Sequence, residues 1–260
     1  MYSFLHELLS DKKDGVIFTC FGLYHWIYIF VIVGMILLTV LLLRRQKRDT
    51  QEKAVIFSSR IAFGLYVLDF FLMPFAYGEI DLEKLPFHAC TAMCVMCFLS
   101  RHTAFWSRFK WHFALLGLAS NLIYMLYPAG VGWYQIHPLS YRVIQTLLFH
   151  GIMTAHGVLV LVFDQEKLTW RHLRRDLAVI VGMTAWAWLG NFLYNGTHGN
   201  YHHHFNWFFV TADPFGMLPT EIAPYIMPFV MIIVMAVAEL LIYAAYIGIK
   251  KVLSRRPKVT

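Results

Sequence analysis

Cys90, His150 and Asp69 are the side chains in this sequence whose types could carry covalent chemistry. A cysteine attacks as its thiolate, and a neighbouring imidazole takes the proton and stabilises the anion. A third group on the far ring nitrogen fixes the orientation of the imidazole, and Asp69 or Asn121 is suited to that position. Asn side chains and backbone N–H groups near helix ends would then hold an oxyanion. These residues are far apart in sequence, so the chemistry requires elements that bring them to one level.

Those elements are long apolar runs. A membrane-spanning helix needs about 20 mostly apolar residues. Seven stretches are candidates: 24–43, 55–77, 85–100, 106–127, 141–163, 176–195 and 223–248, the third being the shortest. The first does not read as a cleaved signal peptide, because its apolar run is too long and no basic run precedes it. The 260 residues are 59% hydrophobic, 17% aromatic and 14% charged, and the mean hydropathy is +0.57. A soluble domain carries about 25% charged residues, so a soluble globular enzyme and a disordered chain are both excluded. The expected fold is all-α: a polytopic membrane protein with a seven-transmembrane-helix bundle. Residues 1–23 form an N-terminal extracellular segment, 24–248 the transmembrane domain and 249–260 a basic cytoplasmic tail.

Orientation follows from the basic residues. The 22 Lys+Arg against 15 Asp+Glu could suggest nucleic acid. Their clustering between apolar runs instead matches membrane insertion, and no nucleic-acid partner is expected. The clusters at 44–53, 101–110, 167–175 and 250–258 all fall on one side of a seven-pass chain, while Lys12, Lys13, Lys84 and Arg142 fall on the other. By the positive-inside rule the N-terminus is outside and the C-terminus cytoplasmic.

Depth links the chemistry to the spans. Measured from the outer helix ends, Cys90 lies about 8 Å deep, Asp69 about 12 Å, Asn121 about 9 Å, Gln145 about 6 Å, His150 about 14 Å and Asn191 about 6 Å. The inner half holds fewer polar groups: His112, His156, Arg60 and Glu239. Two readings account for this: an outward-facing polar cavity, or hydrogen bonding between helices. A carboxylate in a span needs a partner, and His150 is nearest to Asp69 in depth. His156 lies about 240° around the helix from His150 and faces elsewhere. His88 stands two residues before Cys90 and could approach the site if Pro86 leaves the helix start irregular. A disulfide between Cys20 and Cys90 would remove the nucleophile.

Several features have plainer explanations. Cys90, Cys94 and Cys97 share one helical face, where small residues serve close packing. They lack a fourth ligand for zinc, and no metal or cofactor is expected. The segment from Asn195 to Asn206, with His198 and His202 to His204, reads as a wet interfacial loop at the cavity mouth, with metal binding as the other option. Asn195-Gly196-Thr197 fits a glycosylation acceptor only in a eukaryotic secretory setting. Tyr77, Tyr124, Tyr127, Trp133, Tyr134 and Tyr141 read as an interfacial aromatic belt.

The run Leu85-Pro86-Phe87-His88-Ala89-Cys90 resembles the LPxHxC signature of the YwaF-like bacterial integral membrane family. Phe149-His150-Gly151 is similar to that family's histidine segment. The stretch from Asn191 to Asn206-Trp207-Phe208-Phe209 resembles its Asn- and Tyr-rich segment, although here Trp and Phe stand where relatives tend to carry Tyr and Met. The resemblance covers about residues 20–248. A eukaryotic branch of that family is similar to a transmembrane phospholipid acyltransferase relying on a cysteine and a histidine. The resemblance therefore implies Cys90 as nucleophile and His150 as base. His88, Asn121, Gln145, Asn191 and Asn206 are then the expected substrate-binding residues.

Two function classes follow. The first is a lipid acyltransferase or acyl hydrolase acting on a membrane phospholipid or lysolipid near the outer leaflet of a bacterial plasma membrane. The second is a small-solute transporter or ligand-binding membrane protein. A transporter needs a polar route to both faces, and the inner half looks poor in such groups. Haem binding lacks the paired histidines, and a retinal-type Schiff base lacks a mid-span lysine.

Overall fold

The computed structural model describes residues 2–13, 15–78, 80–132, 134–164, 168–197 and 205–254. Among these residues there is no strand. The helices are α1 (Tyr2–Leu9), α2 (Leu23–Leu43), α3 (Arg48–Tyr77), α4 (Ala89–His102), α5 (Lys110–Leu126), the one-turn α6 (Ala129–Gly132), α7 (Tyr141–Phe163), α8 (Leu173–Thr197) and α9 (Ala223–Ser254). Short 3-10 turns add Leu82–Lys84, Trp106–Phe109, Trp170–His172 and Trp207–Phe209. Trp133, Lys167, the histidine run at 198–204, and Arg255, Arg256 and Lys258 lie outside the described residues.

All seven expected runs form helices, but the ends differ where polar flanks continue a helix. α3 begins seven residues before its apolar run, with Arg48-Asp49-Thr50-Gln51-Glu52-Lys53 making its first turns. Hydropathy finds the part suited to lipid, whereas backbone hydrogen bonding runs on into water. At its other end α3 carries Pro74 and stops at Gly78, whose φ of 79° is left-handed and whose N–H donates to the Pro74 carbonyl. Glycine reaches that region without a Cβ penalty.

Six helical stretches are long and apolar enough to cross a membrane: Leu23–Leu43, Arg48–Ala76, Trp106–Gly132, Tyr141–Phe163, Leu173–Asn195 and Ala223–Lys251. The third expected span is not among them. α4 has 14 residues, a rise of about 21 Å against a hydrocarbon core of about 30 Å. It is nonetheless central, packing on α3 and α5 and touching α7 and α8.

The bundle is built around α5 and α7. α3 and α4 cover one side, α8 and α9 pack on the other against α5, and α2 lies outside α7. Leu116, Cys94 and Val160 are fully enclosed in the main core. The α5–α7 approach depends on Gly157, where a Cβ would sit 2.6 Å from Leu118 Cβ. On α2, Leu23, Phe30 and Leu42 are exposed, as lipid-facing side chains would be.

Candidate functional site

The segment before α4 is irregular but well tied. Asp81 caps the turn Leu82–Lys84 by accepting from the Glu83 N–H at 3.0 Å. Three aromatic donors from elsewhere then bind the carbonyls of residues 83, 84 and 86. Tyr66 Oη donates to Lys84 at 2.8 Å, Trp207 Nε1 to Glu83 at 3.2 Å and Trp186 Nε1 to Pro86 at 2.7 Å. Phe87 fills the space beside Gly190, where a Cβ would lie 2.4 Å from its ring. α4 therefore starts at a fixed place, with His88 as N-cap and Cys90 in its first turn.

Cys90 is half-buried at the edge of the main core. The backbone N–H groups of Cys90 and Thr91 approach its sulfur, at the end of α4 where the helix dipole is positive. Cys94 and Cys97 are enclosed in the core, and a Cβ at Gly117 would meet Met93 and Cys97, so those two thiols serve helix packing. All four cysteines are free, so no Cys20–Cys90 disulfide is present.

His150 is buried on α7. Its Nδ1 pairs with Asn121 Oδ1 at 2.7 Å, while Asn121 Nδ2 donates to the Gly117 carbonyl at 2.6 Å. The amide is thus anchored on its own helix and presents its oxygen to the ring, which assigns the proton to Nδ1. Nε2 has no hydrogen-bond partner among the described residues. Tyr124 stacks on the ring with centroids 3.8 Å apart and planes 14° from parallel. Cys90 and His150 make no hydrogen bond to each other. Catalytic hydrogen bonds are often long in the absence of substrate.

Asp69 is not the partner of His150. Its carboxylate accepts from Tyr141 Oη at 2.9 Å and pairs with Lys84 Nζ at 2.9 Å, and it is 2% exposed. A cation outcompetes a neutral imidazole for a buried carboxylate, and the turn before α4 delivers one. The orienting role falls to Asn121.

The remaining expected residues divide. His88 Nδ1 accepts from the Phe208 N–H at 3.1 Å, holding the turn Trp207–Phe209 against α4. It also lies within electrostatic reach of His150. Asn191 clamps the backbone of Trp207, donating to its carbonyl at 2.9 Å and accepting from its N–H at 3.0 Å. Asn195 does the same to Phe205 at 2.8 Å in each direction. Asn206 accepts from the N–H groups of Thr211 and Ala212. These amides fold the loop onto α8 and hold Phe208 and Phe209 at φ of 57° and 53°. Gln145 is half-buried beside Thr146 and bonds to none of the other candidates.

The family model of the TMEM164 family matches residues 20–247. The chain belongs to the TMEM164 family. No curated protein and no solved structure matches it. The matched range of this TMEM164 family member holds α2 to α8 and all but the last turns of α9, and with them Cys90, Asn121 and His150.

Lys84 is the residue of this family member that sequence reasoning placed only as a stray outer charge. It neutralises Asp69 and is within electrostatic reach of Cys90, His88 and His150. One signal was available: it is the basic residue directly before the Leu85–Cys90 motif, facing a chain with one carboxylate at that depth. The inner half was also undercounted. His112 Nδ1 and Tyr243 Oη both bond to the buried carboxylate of Asp176, and Ser58 pairs with His156 Nδ1 at 2.9 Å. Asp176 stands where the expected sixth span begins, so depth reckoning treated it as a boundary.

Proposed function

We propose that this TMEM164 family member is a membrane-embedded lipid acyltransferase or acyl hydrolase, with Cys90 as nucleophile and His150 as base. The observation that carries the reading is the His150 ring itself. Asn121 fixes its Nδ1, Nε2 is left unbonded among the described residues, and Tyr124 stacks on the ring.

In the proposed cycle, His150 Nε2 takes the Cys90 proton and Sγ bonds to the ester carbonyl carbon of a phospholipid. The backbone N–H groups of Cys90 and Thr91 favour the oxyanion. Collapse breaks the acyl C–O bond, and the departing alkoxide takes the proton from His150, leaving a thioester and a lysolipid. A lysolipid hydroxyl, or water, then gives its proton to His150 and attacks the thioester. The second collapse restores the thiol with that proton. Lys84 supplies positive potential throughout.

The reading includes a seven-pass arrangement with α4 as the shortest pass, the N-terminus outside and the C-terminus cytoplasmic, in the plasma membrane of a bacterium. The similarity to YwaF-like proteins belongs to the same proposal. In vesicles carrying a labelled phospholipid and a lysolipid, C90A and H150A should each abolish acyl exchange and hydrolysis while remaining folded, with H150A lowering the thermal midpoint because it also breaks the Asn121 bond. Full turnover by both folded variants removes the mechanism.

A second reading, a small-solute carrier, draws on the buried His112–Asp176–Tyr243 network in the other half of the bundle. Loss of solute uptake in Asp176→Asn, with acyl exchange absent from the native protein, would favour it.

A further inference from the structure

The opposite end of the bundle holds a cavity of about 290 Å³ where the start of α3, the end of α4, the start of α5 and the end of α7 meet. Its charged lining is Arg48, Glu52, Arg101, Lys110 and Asp164. Asp164 is engaged twice, by Arg101 Nη1 at 2.9 Å and by Lys110 Nζ at 3.0 Å. Those contacts leave Arg101 unfinished. Its side chain is 7% exposed, yet Nε and Nη2 are buried with no hydrogen-bond partner among the described residues.

The two vacant nitrogens are not an arbitrary pair. Nε and Nη2 form one edge of the guanidinium plane, with parallel N–H bonds spaced to meet two oxygens of one oxyanion. A buried charged donor is costly to leave unmade, and among the described residues no carboxylate bonds to this edge. With three cations against two carboxylates, the lining keeps a net positive charge. The site also lies at the C-terminal end of α4, away from Cys90 at the start of that helix.

We propose that this cavity binds a phosphate group against the Arg101 guanidinium, whose Nε–Nη2 edge lacks a partner among the described residues, with Arg48 adding charge at the rim. Asp164 and Lys110 hold the guanidinium in place. The phosphate belongs either to a phospholipid headgroup of the basic leaflet or to a free phosphate ion. The proposal stands whether or not Cys90 is a nucleophile.

The full-length protein in detergent is titrated with inorganic phosphate at constant ionic strength, with chloride as control, and its thermal midpoint is read. In parallel, phosphate-free protein is compared in galactolipid vesicles, which carry no phosphate, with and without phosphatidic acid. A saturable rise with phosphate identifies the free ion, and a rise only with phosphatidic acid identifies the headgroup. Either supports the site if R101K, which keeps a cation for Asp164 but lacks the fork, lowers the affinity about ten- to a hundredfold. R48Q, at an exposed position, should weaken it about threefold and decides the matter if R101K does not fold. No rise with either probe overturns the proposal, as does an equal rise in the native protein and the variants.

Discussion

The Lys84–Asp69 pair offers a sharp test of how the site is held. The ion pair spans 2.9 Å, with Asp69 2% and Lys84 21% exposed. At an effective dielectric constant of about 20, charges at this separation attract by about 6 kcal/mol, and desolvation consumes much of that. Lys84→Met leaves the Asp69 carboxylate buried with the Tyr141 hydroxyl, a loss of about 3 kcal/mol. Asp69→Asn keeps an acceptor for Tyr141 and leaves Lys84 able to turn toward solvent, so the loss is smaller, about 1–2 kcal/mol. The double variant should cost less than the sum by about 2 kcal/mol, because neither single orphan remains. Thermal unfolding in detergent reads this as a midpoint drop of about 6–12 °C for Lys84→Met. The same variant should slow acyl exchange, since Lys84 also acts on Cys90 and His150. Additivity of the two single losses within about 0.5 kcal/mol would refute the coupling.

Two further outcomes follow from the same geometry. Asn121→Ala removes the acceptor for His150 Nδ1 inside the bundle and should cost about 1–3 kcal/mol in unfolding free energy. It should also cut kcat for acyl exchange with KM little changed, whereas a purely structural amide would leave kcat intact once the protein is folded. Asp213 accepts from the N–H groups of Phe215, Met217 and Leu218. The Phe215 bond leads in holding its carboxyl below the usual carboxylate range. Because the folded value is depressed, this contribution to turn stability is present above the ordinary carboxylate pKa and is lost as pH falls through the folded value. The protection of the Phe215, Met217 and Leu218 amides, measured against their intrinsic exchange rates at each pH, should fall in that acidic window, and Asp213→Asn should remove that change.

The helical class was legible because lipid imposes long apolar runs, and each run did form a helix. α4 was the weak case for a physical reason. At 14 residues it is buried in protein, so its sequence answers to neighbouring helices more than to lipid. The Asn121–His150 pairing was within reach of depth reckoning, since both residues sit near the same ends of adjacent helices. Asp69 was misjudged because its true partner, Lys84, lies in a loop that depth along a helix cannot rank. Asn191 and Asn206 were expected to bind substrate, and in the structure their amides bond to the backbone of the segment that follows α8. The Arg101 fork left no trace in sequence, because a basic residue at a helix end satisfies the positive-inside pattern whether or not its donors are met.

The brevity of α4 also changes what an aromatic residue means here. Where the chain approaches α4 without regular turns, its carbonyls at 83, 84 and 86 are met by ring donors borrowed from α3, α8 and the turn after it. Tyr66, Trp186 and Trp207 thus stand in for the amides of a missing helical turn. Phenylalanine would keep an aromatic ring at each position and strand those oxygens, so exchanges harmless on a greasy outer surface would loosen the chain here.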